Sequence, residues 1–232
     1  MNYKLFKVMV NSELFPVQVL FLRAPKKVHI QEILAVLLKD LTVRRILKVV
    51  KLDSFPNSRS KKTQRYSMIY KGLNYEGYEP QPFEKAFLLP LAELNQVQTK
   101  ILTNFVLKKH SYPSAFITDN ILKPLKNKGY LKTSLGGAKA TSKAKPIVDQ
   151  VNQFLNQQQE KLASLLNGEA REFMDAVIET GSYLFILEYQ APELFEDIKK
   201  KIRNLAKSYG GGEFELTPFY EALNLDLSYF HE

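Results

Sequence analysis

The chain contains no cysteine and has only three histidines, which are His29, His110 and His231. Without cysteine the protein has no disulfide, no thiol nucleophile and no thiolate metal site. Three histidines scattered along the chain argue against a histidine-rich metal site. The sequence therefore predicts no metal and no cofactor, and no motif in it indicates a catalytic residue.

Long apolar runs are also missing. A membrane-spanning helix needs about 18 consecutive apolar residues, and no apolar run in this chain approaches that length. Asn11 and Glu13 interrupt the apolar segment that a secretory signal peptide would need near the N-terminus. We therefore expect a soluble, cytoplasmic protein without a transmembrane segment.

The composition is that of a folded chain. Of the 232 residues, 45% are apolar and 12% are aromatic, which is ample for a packed core. This length fits one large domain or two modest ones.

Most of the positive charge lies in two stretches. Residues 39–71 carry a net charge of +8 and residues 100–145 carry +9, whereas the whole chain carries +9. The rest of the chain therefore carries −8, and residues 146–232 alone hold fifteen acidic and seven basic side chains. Concentrated positive charge indicates either an anionic partner or a solvated surface.

Both basic stretches contain the same short pattern. An apolar helical segment ends in a basic pair and is followed by an apolar, strand-like run. The two copies read Arg44-Arg45-Ile46-Leu47-Lys48 and Lys128-Gly129-Tyr130-Leu131-Lys132. The pattern predicts two small units in which a helix is followed by a β-hairpin, or wing.

The first half of the chain predicts an N-terminal pair of strands and then the first unit. Alternating and β-branched residues predict strands at 3–10 and 17–22. Helical spacing of apolar residues predicts a helix from residue 30 to about 45. Strands are predicted at 46–52 and 64–71, with a polar loop between them.

The next part predicts a second unit. Residues 83–91 have a helical pattern that we expect Pro90 to break, and helical spacing resumes from Leu94 to Phe105. A helix is predicted from about 118 to 128, with a kink or a late start because Pro124 lies deep inside it. Gly129 predicts the end of this helix. Residues 130–133 are predicted to form a short strand.

The C-terminal part is predicted to be helical. Residues 135–145 lack periodicity and form the best candidate for a linker. Apolar spacing predicts helices at 147–166, at 169–179 and after Pro192, and Thr217-Pro218 begins a final helix. The predicted domain boundaries are residues 1–95, 96–134, 135–145 (linker) and 146–232.

The segment from Leu37 to Lys48 resembles winged helix-turn-helix domains. Together with Glu84 and Lys128-Gly129-Tyr130, residues 28–133 are also similar to the soluble winged-helix region of a family of uncharacterised bacterial membrane proteins. In that family a Leu-rich helix runs into an Arg-Gly turn, and Arg45 of this chain stands where the family has Gly. The resemblance implies a winged-helix fold and no established activity.

The basic side chains of the first wing are the main candidates for binding an anion, because Lys and Arg neutralise phosphates and a wing can follow a nucleic-acid backbone. The simpler interpretation, a solvated loop, is somewhat favoured by the pattern alone. The candidate residues for nucleic-acid or anion binding are Arg44, Arg59, Lys61, Lys62, Arg65, Lys123 and Lys128.

Acidic side chains give a weaker candidate. Glu169, Glu172, Asp175 and Glu179 have helical spacing and share one face. A solvated acidic face is much the better interpretation, since no nearby residue supplies a metal ligand or a nucleophile.

We therefore expect an α+β protein with an N-terminal strand pair, two winged-helix-like units and a helical C-terminal region. Two functions compete: a non-enzymatic module that binds another protein or domain, and a nucleic-acid-binding regulatory protein that uses the basic wing at residues 59–65. The sequence identifies neither the partner nor the oligomeric state. The fold alone does not choose between the two functions.

Overall fold

The structure is a computed structural model and describes residues 14–25, 27–55, 59–109, 113–134, 137–210, 212–225 and 227. The fold is α+β, as predicted, with one three-stranded and one two-stranded antiparallel sheet among these residues. The strands are β1 (Leu47–Ser54), β2 (Gln64–Lys71), β3 (Gln96–Gln98), β4 (Leu131–Ser134) and β5 (Gly137–Ala140). The helices are α1 (Pro16–Arg23), α2 (Ile30–Val43), α3 (Pro82–Glu93), α4 (Thr99–Lys109), α5 (Pro113–Ile117), α6 (Lys123–Asn127), α7 (Lys145–Ser164), α8 (Ala170–Thr180), α9 (Leu187–Gln190), α10 (Pro192–Ser208) and α11 (Thr217–Leu223).

Helix α2 and the hairpin β1–β2 form the first unit and confirm the elements predicted there. The end of α2 is closed by two backbone hydrogen bonds, from Arg45 N–H to the Thr42 carbonyl (2.9 Å) and from Ile46 N–H to the Leu41 carbonyl (3.0 Å). This is a Schellman motif, which needs a left-handed residue, and Arg45 takes that role with φ of 57°. The chain then enters β1 directly.

The second unit repeats this arrangement. Helix α5, a π-helical turn at Thr118–Leu122 and α6 follow one another, and the hairpin β4–β5 comes next. Gly129 has φ of 75°. The Tyr130 N–H donates to the Leu125 carbonyl at 2.8 Å, so the same Schellman motif ends this helix.

The predicted lack of regular structure in the linker was wrong at residues 137–140, which form strand β5, whereas the linker as a domain boundary stays a prediction. Strand β5 pairs antiparallel with β4 along its whole length, from Leu131 opposite Ala140 to Ser134 opposite Gly137. Its Gly and Ala residues have low β-propensity, so the strand is held by backbone pairing and not by a side-chain pattern.

Two predictions around α3 and α4 were also wrong. Helix α3 continues through Pro90 to Glu93 instead of breaking. Residues 96–98 form β3 rather than part of a helix, with Val97 opposite Ile69 of β2. Val97 is buried, and its packing in the sheet outweighs the helical spacing in which it also fits.

The prediction of a strand at 17–22 was wrong as well, and residues 3–10, its predicted partner, lie outside the described residues. Residues 17–22 belong to α1, with Pro16 at its first position. All of residues 16–22 are buried. A short segment that is apolar on every side carries no periodicity, so its pattern does not separate a buried strand from a buried helix.

Helix α2 lies at the centre of the fold. Each of its residues from Ile33 to Val43 is buried, and α1, α11 and a 3₁₀ segment at Gly181–Ile186 pack against it. The predicted C-terminal helices are present, and their apolar side chains join the same hydrophobic cluster as α2. The domain boundaries stay a prediction, but the core runs across them.

Candidate nucleic-acid interface

The first wing exposes Arg59, Lys61, Lys62 and Arg65. Arg65 makes a two-pronged ion pair with Asp53, the residue directly opposite it on β1, at 2.9 and 3.0 Å. The hydrogen bonds from Arg65 lower the pKa of the Asp53 carboxyl. Part of the positive charge predicted for this wing is therefore neutralised within the hairpin.

Arg44 lies in a different environment from the other candidates. Its guanidinium forms ion pairs with Asp40 (2.9 Å) and Glu84, and it donates to the Tyr78 hydroxyl at 2.6 Å. Burial alone would lower the pKa of Arg44, but Asp40 and Glu84 raise it above its ordinary value. Arg44 thus serves an internal network and contributes little to an anion-binding surface.

Glu84 is the centre of that network and is completely buried. Besides Arg44, it accepts hydrogen bonds from the Tyr78 hydroxyl and from the Gln81 N–H, each at 2.7 Å. Burial raises the pKa of the Tyr78 hydroxyl, and its hydrogen bond to Glu84 adds to that rise. The network joins the end of α2 to the start of α3 and explains why α3 begins where it does.

The second unit holds the more open basic surface. Lys123 is exposed but pairs with Asp119 at 2.7 Å, and Lys128 is exposed beside the helix end. Five further lysines between residues 120 and 145 are exposed, although they were not among the predicted site residues. They are Lys126, Lys132, Lys139, Lys143 and Lys145. No acidic residue occurs between 120 and 145.

The hairpin β4–β5 brings two of these lysines face to face. Lys132 lies directly opposite Lys139, so both side chains project from the same face of the hairpin. Within the described part of the chain, neither lysine makes an ion pair. Two lysines paired directly across a hairpin, without an acidic residue in the surrounding segment 120–145, concentrate positive charge there.

Other lysines are positioned around this pair. The Lys126 ammonium donates to the Thr133 hydroxyl at 3.2 Å, on the opposite face of β4 from Lys132. The Lys143 ammonium donates to the Lys128 carbonyl at 2.9 Å and lies 4.9 Å from the centre of the Tyr130 ring. The hairpin therefore carries positive charge on both faces.

The two units differ in the helix that precedes the hairpin. Helix α2 is buried and exposes no face that could contact a ligand. The second helix exposes Asp119, Lys123, Lys126 and Asn127, whereas Asn120 is half-buried and donates to the Phe116 carbonyl at 3.1 Å. A helix and hairpin with a shared polar surface therefore occur only in the second of these two units.

The acidic residues of α8 behave as the simpler interpretation expects. Asp175 pairs with Arg171, and Glu179 pairs with Lys161 at 2.6 Å. In the described part of the chain no three His, Asp or Glu side chains cluster in a way that could hold a metal ion.

None of the described helices combines the length and the hydropathy that a membrane span requires. The chain was compared with family models, curated proteins and solved structures, and no match was found in any of the three comparisons.

Proposed function

We propose that this protein is a non-enzymatic binding protein and that its second unit binds the phosphate backbone of nucleic acid. The observation that carries the proposal is the pair Lys132 and Lys139, held opposite each other on an exposed hairpin. Like charges directly opposite on a β-ladder destabilise it. A phosphate between the two ammonium groups removes that repulsion, and a solvated loop gives no reason for the arrangement.

The surrounding charge supports a polymeric anion rather than a single small one. Lys126, Lys128 and Lys143 lie on or beside the same hairpin, as their contacts show. Each lysine that neutralises a phosphate releases condensed counterions, which supplies most of the affinity of sequence-independent binding. We therefore expect binding that depends strongly on salt and only weakly on base sequence.

The resemblance to winged helices is a second source of support. Each helix of the two units ends in a Schellman motif and runs directly into its hairpin. Arg45 stands where the winged-helix pattern has Gly, and it adopts the left-handed backbone that glycine favours. Wings commonly contact nucleic-acid backbones beside a helix.

Anisotropy of a labelled duplex DNA, measured at several salt concentrations from about 50 mM upward, tests the proposal. The double variant Lys132→Gln/Lys139→Gln should weaken binding and reduce the slope of log K against log salt by about 1.8, or about 0.9 for each lost contact. The control Lys85→Gln/Lys207→Gln removes two exposed lysines outside both basic stretches and should leave the slope unchanged.

A third variant, Arg59→Gln/Lys61→Gln/Lys62→Gln, separates the two wings. If it lowers the slope and the β4–β5 variant does not, the first wing is the binding site and the assignment to the second unit is wrong. Wild-type protein that fails to bind at about 50 mM salt would reject nucleic-acid binding altogether.

That last result would favour the other function, a module that binds a protein. Helix α4 supplies a specific observation for it, because Ile101 and Phe105 lie one turn apart and are 56% and 42% exposed. Large apolar side chains exposed together are typical of protein contacts.

A further inference from the structure

Among the described residues, strand β1 forms one edge of its sheet, since the strand order is β1-β2-β3. An edge strand has one row of backbone N–H and C=O groups that no neighbouring strand satisfies. Which residues supply that row follows from the pairing with β2. The Val49 N–H donates to the Glu221 carboxylate at 3.1 Å, so Val49 turns its backbone away from β2.

The same direction holds for every second residue of the strand. Pairing with β2 uses the backbone of the even-numbered residues, as the bond from Gly72 N–H to the Ile46 carbonyl shows. The backbone groups of Lys51 and Asp53 therefore point outward, like those of Val49. No described residue makes a backbone hydrogen bond to this side of Lys51 or Asp53.

Helix α11 covers only the beginning of the edge. Glu221 accepts from Val49, and beyond Val50 the strand leaves the helix and is exposed at every residue to Phe55. Residue 56 is proline, which has no N–H and limits further pairing. The open edge is therefore short and centred on residues 51–53.

The side chains on this open segment are complementary to their own copy. When two β1 strands pair antiparallel, a two-fold axis relates the two copies. If this axis passes through Lys51, two lysines lie opposite each other. If it passes through Asp53, two aspartates lie opposite each other. An axis at Leu52 instead places Lys51 opposite the partner's Asp53, twice. Opposite charges on facing residues stabilise a pair of strands and like charges destabilise it.

The axis at Leu52 also satisfies the backbone. The outward backbone N–H and C=O groups of Lys51 then lie opposite those of Asp53 in the partner. This gives one hydrogen-bonded residue pair on each side of the axis. The carboxylate of Asp53 can accept a lysine in addition to Arg65, because each of its oxygens has two lone pairs. Positive and negative charges then alternate across the joined strands from Arg65 through Asp53 to the partner's lysine.

We propose that two copies of this chain associate through the open edge of β1, antiparallel about an axis at Leu52, and form one continuous sheet. The self-complementary order of Lys51 and Asp53 favours a second copy over an unrelated extended peptide, which would need its own matching charges. The association is independent of the proposed nucleic-acid binding, since it uses a different hairpin.

The absence of cysteine allows a direct test on the full chain without nucleic acid. Leu52 is 38% exposed and would face its copy in a non-hydrogen-bonded pair, where Cα atoms lie about 4.5 Å apart and a disulfide can form. We expect Leu52→Cys to give a disulfide-linked dimer under mild oxidation. In Ser54→Cys the two thiols would be roughly 13 Å apart along the strands, so this exposed control should stay monomeric.

Sedimentation of proteins without added cysteine completes the test. The wild-type chain should show a concentration-dependent monomer–dimer equilibrium, and Lys51→Glu, which replaces both attractive pairs by repulsive ones, should weaken it about tenfold or more. Equal cross-linking of the two cysteine variants, an unchanged equilibrium for Lys51→Glu, or a wild-type chain that is monomeric at about millimolar concentration would each overturn the proposal.

Discussion

Glu84 is the residue on which the connection between the first unit and α3 depends. It is completely buried, and it is held by Arg44, by the Tyr78 hydroxyl and by the Gln81 N–H. A buried carboxylate is tolerated only when charged and hydrogen-bonding partners satisfy it. Arg44 therefore has a structural role that its position in a basic stretch did not reveal.

The change Glu84→Gln should lower the free energy of unfolding by about 2–4 kcal/mol, because it removes one charge of a buried pair and places amide donors against donors. Denaturant unfolding measures this. The exposed pair of Asp53 and Arg65 provides the control, and Asp53→Asn should leave stability nearly unchanged since solvent screens it. Equal effects of the two changes would contradict the central role of Glu84.

Gly72 is required for a close backbone approach. A Cβ atom at this position would lie 2.2 Å from the Arg45 carbonyl oxygen, in the tight contact between the end of β2 and the start of β1. The change Gly72→Ala should therefore destabilise the chain by about 1–3 kcal/mol or more, measured by denaturant unfolding. Gly212→Ala, whose Cβ would lie 3.4 Å from the nearest atom, is the matched control and should have a much smaller effect.

The burial of Glu221 should make the stability of the chain depend on pH. Burial raises the pKa of its carboxyl, although the hydrogen bond from Val49 opposes the rise. The folded state therefore binds this proton more tightly than the unfolded state, so the contribution of Glu221 to stability falls as pH rises above the ordinary glutamate range. Glu221→Gln keeps an acceptor for Val49 without the charge.

The variant Glu221→Gln should accordingly gain stability relative to the wild type as pH rises from about 4 to about 7. Thermal unfolding midpoints across this range measure the difference. A difference between the two proteins that is constant with pH would show that Glu221 titrates in the same way in the folded and unfolded chains.

At the scale of the element, the two units use the same helix end with different residues. Arg45 and Gly129 both occupy the left-handed position of a Schellman motif. A side chain in that conformation costs about 1–2 kcal/mol, which glycine avoids. Arg45 already carries the cost, and Gly129 does not.

It follows that Gly129→Ala should lower the free energy of unfolding by about 1 kcal/mol, whereas Arg45→Ala should change it much less. Denaturant unfolding of both variants tests this. A larger loss for Arg45→Ala would mean that its side-chain contacts, and not its backbone, dominate at this helix end.

The helix of the second unit accommodates Pro124 by a local change of geometry. Proline removes a backbone donor and crowds the carbonyl four residues earlier. The π-helical turn Thr118–Leu122 lies immediately before it, and Lys123 N–H donates to the Thr118 carbonyl, five residues back. A wider turn within a continuous helical segment therefore takes the place of the predicted kink or late start.

At the scale of the whole molecule, α2 is enclosed by elements distant in sequence. Phe219 of α11 is completely buried, α11 packs on α2, and Lys39 of α2 pairs with Glu188 of α9. The C-terminal region therefore covers α2. We expect the two parts of the chain to depend on each other for stability.

The change Phe219→Ala should lower the free energy of unfolding of the whole chain by about 3–5 kcal/mol. Calorimetry should show one transition for the wild type that shifts as a unit in the variant. Two transitions, of which only one shifts, would instead support separate domains divided near residues 135–145.

The sequence alone determined those elements that depend on neighbouring residues. Local sequence patterns predict helix α2, strands β1 and β2, the helix end at Gly129 and the helices α7, α8, α10 and α11, because side-chain periodicity and turn chemistry act over a few residues. The basic character of both stretches is likewise a property of composition.

The tertiary structure decided what depends on long-range packing. It made residues 17–22 a buried helix, although their apolar pattern fits a buried strand equally well, and it turned residues 137–140 into a strand through pairing with β4. It also paired the half-buried Arg44 with the buried Glu84 and set Lys132 opposite Lys139. No local sequence pattern predicts these features, because the strand register and the partners of a buried charge are set by residues far apart in the chain.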